Sequence, residues 1–182
     1  MTDIVKLEAL DHEAVRAILA SHALFRASHA TQSQEADFSY KAIAGFDFSG
    51  LDLWGVHFQG AALEGCLFKK TILYDSDFGN AHVRSTDFAG ADLVRADMSD
   101  AVFHDCCFED CNLRGAAFYD AELVKISFRN ADLSGASISE CTLTNVDLSG
   151  AHIDGASIRN NQSRETSWAG VQGELAQGEL PR

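Results

Sequence analysis

No run of about 18 apolar residues occurs in the 182-residue chain, so no segment is expected to span a membrane. The first residues carry Asp3, Glu8, Asp11 and Glu13 and lack the basic-then-apolar layout of a signal peptide. Cations are scarce: 14 Lys and Arg stand against 27 Asp and Glu, a formal charge of −13 at pH 7. That balance argues against direct nucleic-acid binding and for solubility or a basic partner. Five cysteines, an odd number without a secretory signal, point to free thiols in a reducing, cytoplasmic compartment. Proline occurs once, at Pro181.

What the chain does have is a period. Every fifth residue from Phe38 to Ile158 is large and apolar, 25 positions without an insertion, in a chain only 46% hydrophobic. The residue two before each centre is Ala, Cys, Ser, Thr or Val at 21 of the 25; Lys41, Phe46, Leu51 and Ile126 are the exceptions. The residue two after is Gly, Asp or Asn at 19 of the 25. Those types tolerate positive φ best, which marks a turn.

A period of five fits neither a helix, at about 3.6, nor a strand, at about 2. It fits a chain that turns a corner every five residues, so that four corners close a coil. Through Leu133 the centres alternate between Phe and aliphatic, and centres one coil apart are alike. One wall then stacks Phe48, Phe68, Phe88, Phe108 and Phe128; another stacks Leu53, Leu73, Leu93, Leu113 and Leu133. Met98 and Phe103 break the alternation as a neighbouring exchange of bulk, which conserves core volume.

The motifs ADFSY (36–40), ADLVR (91–95), CNLRG (111–115), ADLSG (131–135) and VDLSG (146–150) resemble the repeats of the pentapeptide-repeat family, which has bacterial members. The likeness covers residues 36–160. It implies an all-β solenoid, a right-handed quadrilateral parallel β-helix with the centre and minus-two residues inside. Twenty-five units make about six coils, a rod of roughly 30 Å at about 4.8 Å per coil.

A solenoid needs caps, because its terminal coils expose apolar core and unpaired backbone. Residues 11–27 read as a helix, with Asp11 as N-cap, Glu13 in the first turn, and an apolar stripe of Val15, Ile18, Leu19, His22 and Phe25. Bulky Phe46 and Leu51 in the first coil give it a surface to cover. At the other end Ser163 breaks the apolar series and Trp168 resumes it, as a plug or an end-to-end dimer contact. The expected organisation is a helical cap and linker over 1–35, the β-helix over 36–160, and a C-terminal cap with a polar, mobile tail over 161–182.

Sorted by wall, the repeat's charge is uneven. The wall through Phe38 carries Asp37, Asp77, Asp97, Asp100, Asp120 and Glu140 against Arg159. The wall through Leu53 carries Asp52, Asp75, Asp92, Asp132 and Asp154 against Arg95 and Arg114. These walls adjoin, and their acids other than Asp154 form a candidate acidic interaction surface. Trp54 and Tyr74, both just after a centre, are candidate exposed aromatic contacts, although lone aromatics are common on β surfaces.

No insertion builds a cleft around paired acids, and no Ser-His-Asp set or Gly-rich phosphate loop stands in suitable context. The expectation is therefore a non-enzymatic protein without a cofactor, a scaffold or regulator acting through its walls on a protein partner. It is expected to be a monomer or an end-to-end homodimer. The resemblance adds an alternative. Family members that protect type II topoisomerases are acidic rods resembling duplex DNA, so a gyrase binder giving quinolone or toxin protection is the second reading. Against it, the acids before each centre also serve as a solubilising part of the repeat.

One stretch, HDCCFEDC (104–111), has the composition of a zinc site. The register disperses it: Cys106 and Cys111 fall in small core slots, as do Cys66 and Cys141, while His104 and Cys107 point outward. No metal site or Cys106–Cys111 disulfide is expected, and Cys107 is the one thiol expected to be exposed. His57, His82 and His152 are expected on the surface, and His12, His22 and His29 in the leader, none as a ligand.

Overall fold

Every fifth residue from Tyr40 to Gly170 has positive φ, between 48° and 75°. The corner therefore also bends Tyr40, Lys70, Ser85, Arg95, Lys125, Glu140 and Glu165, which are not the Gly, Asp or Asn that best tolerate it. A left-handed conformation costs a non-glycine residue about 1–2 kcal/mol, and the coil's hydrogen bonds impose it regardless. The computed structural model describes residues 7–28 and 35–178. The linker around His29, Asp3, and the end of the tail with Pro181 lie outside the described residues.

β1 (Glu8–Ala9) precedes α1 (His12–Ala27). β2 (Lys41–Ala44), β3 (Ala62–Glu64), β4 (His82–Arg84), β5 (Val102–Cys107) and β6 (Ala117–Tyr119) follow. Then come β7 (Glu122–Ser127), β8 (Ser137–Ser139), β9 (Thr142–Asp147), β10 (Ser157–Arg159), β11 (Gln162–Arg164) and β12 (Gln177–Gly178). One parallel sheet runs β1-β2-β3-β4-β5-β7-β9-β11 along the Ile43 wall, and a second runs β12-β10-β8-β6 along the Phe38 wall. Between consecutive coils the register is 20 residues: Ile43 faces Leu63, Leu63 faces Val83 and Phe103 faces Leu123. Isolated parallel bridges with the same spacing hold the Leu53 wall and, together with the ends of β5, β7 and β9, the Phe48 wall. The result is a right-handed quadrilateral β-solenoid of about seven turns.

All the centres from Phe38 to Ile158 are buried. The rings of Phe48, Phe68, Phe88, Phe108 and Phe128 stack face to face at 4.6–5.2 Å. Phe38, Phe58 and Phe78 form a second stack on the opposite wall and meet the first edge-on. Where Met98 interrupts that second stack, Phe103 supplies the edge contacts, to Phe88 at 6.4 Å and Phe108 at 5.6 Å. The exchange thus conserves ring contacts as well as volume. Apart from Ser76 and Thr86, which donate to the Leu73 and Arg84 carbonyls, one rule recurs for the polar side chains in the small slots. Cys66, Thr71, Cys106, Cys111 and Cys141 each donate to the carbonyl of the centre 23 residues earlier.

The N-terminal end is covered by both a helix and a strand. Asp11 caps α1 by accepting the Ala14 N–H at 2.8 Å. Val15 and His22 are buried, and Ile18 and Leu19 pack on the core. Phe46 lies under the helix, edge-on to His12 at 5.1 Å. β1 continues the ladder beyond β2, an element the sequence did not announce.

The C-terminal end differs from expectation. The coil continues past residue 160: β11 pairs with β9, placing Ser163 opposite Leu143, and β12 pairs with β10. Ser163 breaks the apolar pattern but not the backbone register. The tail expected to be mobile is laid on the stack as far as Gly178, because the preceding coil offers unpaired backbone groups that the segment satisfies. This raises the count from about six coils to about seven. Trp168, Val171 and Leu175 pack, partly buried, against the core.

Candidate interaction walls

The predicted acids fall into columns. Asp37, His57, Asp77 and Asp97 follow one another at successive coils of the Phe38 wall. Asp52, Ile72, Asp92, Asn112 and Asp132 do the same on the Leu53 wall. Each Asp in these columns accepts the backbone N–H two residues on, at 2.8–3.3 Å. Asp47, Asp87 and Asp147 repeat the bond on the Phe48 wall. These are Asx turns, in which the carboxylate satisfies a donor at the corner. The corresponding column of the Ile43 wall, Ala42, Ala62, His82, Val102, Glu122 and Thr142, contains no Asp. There the backbone is paired as strand.

The other four acids sit in the positive-φ corner itself: Asp75 at 55°, Asp100 at 58°, Asp120 at 52° and Glu140 at 63°. All ten acids of the candidate surface therefore occupy positions with a backbone role. The sequence carried a signal for this, since Asp precedes the centre on three walls, not only on the two acidic ones.

Some of the charge is compensated. Arg26 of α1 reaches Asp52 at 3.2 Å, and Arg95 reaches Asp75 at 2.9 Å. Asp100, Asp120 and Glu140 stand one coil apart at one corner with no cation paired to them among the described residues; the Tyr119 hydroxyl donates to Glu140 at 3.0 Å. Burial would raise the Asp37 and Asp132 carboxyls, but the hydrogen bonds from Ser39 and Ser134 outweigh it and hold both below the usual carboxylate range.

The aromatics are less free than expected. Trp54 is 36% exposed, with the Arg26 guanidinium 4.5 Å from its ring centre. Tyr74 is half-buried, under Arg95 at 5.6 Å. Sequence reasoning missed the α1 contact, because nothing local places residue 26 beside residues 52 and 54. Cys107 is half-buried rather than exposed, and burial beside Asp87 and Glu109 pushes its thiol up. Among the described residues, no three His, Cys, Asp or Glu gather closely enough to hold a metal ion.

Two family descriptions match: "Pentapeptide repeats (8 copies)" over residues 47–84 and "Pentapeptide repeat region" over 81–168. The chain belongs to the pentapeptide-repeat family. No curated protein matches it. Similar solved structures include HetL, a pentapeptide repeat protein involved in heterocyst differentiation regulation from the cyanobacterium Nostoc sp. strain PCC 7120. The identity is 17% over 75% of this chain and 73% of that one, with a TM-score of 0.47. Full-length QnrB1, a plasmid-mediated fluoroquinolone resistance protein, is 18% identical over 76% and 83%, with a TM-score of 0.40. Rfr23, from the cyanobacterium Cyanothece 51142, is 20% identical over 70% and 90%, with a TM-score of 0.32.

Proposed function

We propose that this pentapeptide-repeat protein is a non-enzymatic binding rod, a scaffold or regulator that meets a protein partner through its walls. The observation that carries the reading is the uneven surface. Side chains stand in columns on flat walls, and acidic columns crowd two adjacent walls around Trp54 and Tyr74. An uninterrupted run of units, with no loop to enclose a substrate, supports a surface role over a catalytic one. Opposite charge on a partner would steer its approach. A cytoplasmic setting fits the free thiols.

The test is capture from a native proteome on the immobilised protein. A basic protein retained by the wild type and released by charge reversal at Asp77, Asp97 and Asp120 supports the reading. Retention that ignores the reversal overturns the acidic surface as the contact.

A second reading, a DNA-mimicking binder of a type II topoisomerase such as gyrase, giving quinolone or toxin protection, is favoured by the stacked Asp100, Asp120 and Glu140. One charge per coil, about 4.8 Å, is sparser than duplex DNA at one per about 1.7 Å. On this reading, micromolar protein alters gyrase supercoiling or quinolone-stabilised cleavage, and the same reversals weaken the effect. No effect on any type II topoisomerase leaves the scaffold reading.

A further inference from the structure

A groove on the Leu53 wall indicates what the partner presents; this inference rests on the protein-binding reading above. Ile72 is 44% exposed, with Asp52 one coil earlier and Asp92 one coil later in the same column. Together with Trp54, Tyr74 and Arg26 these residues line a groove of about 430 Å3.

Two guanidinium groups of the chain already use this kind of surface. Arg26 covers Trp54 at 4.5 Å and binds Asp52 at 3.2 Å. Arg95 covers Tyr74 at 5.6 Å and binds Asp75 at 2.9 Å. In both, a planar cation lies over a ring while a carboxylate takes its N–H, a pairing that arginine makes better than lysine. Asp92 is the carboxylate left over. It accepts the Val94 N–H at 3.3 Å, and no cation pairs with it among the described residues.

We propose that this groove takes an arginine side chain of a partner protein, with its stem along Ile72 and Tyr74 and its guanidinium on Asp92. Arg26 occupies the neighbouring slot as an internal ligand, so its removal frees Asp52 and Trp54 for a second partner arginine. The net negative charge of the wall favours such a segment before contact.

The test is fluorescence anisotropy with labelled tetra-arginine, tetra-lysine and tetra-citrulline peptides on the full-length protein. Citrulline keeps the shape of arginine and lacks its charge. Tetra-arginine is expected to bind about tenfold tighter than either alternative, and Asp92→Asn to weaken it by about tenfold, the scale of one lost charged hydrogen bond. Asp132→Asn removes the same charge from the same wall outside the groove, and is expected to change binding less than about twofold, since a charge two coils away makes no contact with the bound side chain and is largely screened. Arg26→Ala is expected to tighten binding. Asparagine keeps the Asx acceptor in both variants, so an unchanged circular dichroism spectrum checks that the fold is intact, with at most a small loss of melting temperature where the depressed Asp132 carboxyl is removed. Equal weakening by Asp92→Asn and Asp132→Asn, or equal binding of arginine and lysine peptides, overturns the proposal. A proteome partner captured equally by wild type and Asp92→Asn leaves the protein-binding reading standing and removes the groove as its site.

Discussion

Phe88→Ala tests the register and the ring stack together. Phe88 is buried and central, stacked on Phe68 at 4.9 Å and Phe108 at 4.7 Å, with edge contacts to Phe78 at 5.9 Å and Phe103 at 6.4 Å. A buried Phe→Ala change costs about 3–5 kcal/mol, a large share of the roughly 5–15 kcal/mol that holds a domain folded. Phe128 lies at the end of the same stack, with one face contact at 5.2 Å and one edge contact at 5.8 Å. Each ring contact contributes about 0.5–1.5 kcal/mol beyond area, so Phe88→Ala is expected to exceed Phe128→Ala by about 1 kcal/mol or more. Exposed Arg84→Ala serves as the control and should stay within about 0.5 kcal/mol of wild type. Urea unfolding followed by circular dichroism reads all three. A cost for Phe88→Ala no larger than that of Arg84→Ala would place Phe88 outside the core and refute the register. A cost for Phe128→Ala at or above that of Phe88→Ala would refute the stack.

Thiol labelling in native buffer should modify Cys107 first. Burial pushes Cys106 and Cys111 up to about 12 and Cys141 up to about 11, and Cys66 is raised as well, so these four should react only on unfolding. Early modification of Cys106 or Cys111 would contradict the inward slots. His22 makes the lid acid-sensitive: its Nδ1 accepts the Ala36 N–H at 3.0 Å, so only an unprotonated Nδ1 fits. Burial outweighs the pull of Asp52 and Glu35 and, aided by Arg26, holds the ring below its ordinary value. The unfolded chain then binds the proton more readily, so the contribution is full above about pH 6.5 and lost as pH falls towards the depressed folded value. Hydrogen exchange of α1 amides, corrected for intrinsic rate, should be faster at pH 5 than at pH 7.5, and equal protection would remove His22 as the latch. The depressed Asp37 and Asp132 carboxyls act lower, contributing stability above about pH 4 that declines as pH falls through their folded values. Melting across that range should show the decline, and a flat profile would mean the Asx turns add nothing. Because Trp168 packs against its own core, Trp168→Ala should lower stability and leave the mass by light scattering unchanged; a halved mass would instead make it a dimer contact.

The five-residue period determined the coil, its walls and which residues face inward, because every unit obeys the same local demand: a large centre, a small partner and a residue at the corner. That is why HDCCFEDC was legible as core filling, with Cys106 and Cys111 inside. Contacts made from outside the repeat were not legible. Ser163 offers no apolar signal, yet the open edge of the preceding coil draws residues 162–164 and 177–178 into its ladder. Arg26 meets Asp52 and Trp54 only because α1 lies across the first coil. The sequence alone determined how much acid each wall carries. Tertiary structure decided that those acids cap corners, that two of them are paired with arginine, and that Asp92 is left unpaired beside Ile72. Phe46 and Leu51 marked the first coil as the surface the helix covers, but no local pattern encodes which of its side chains meets which residue of the coil.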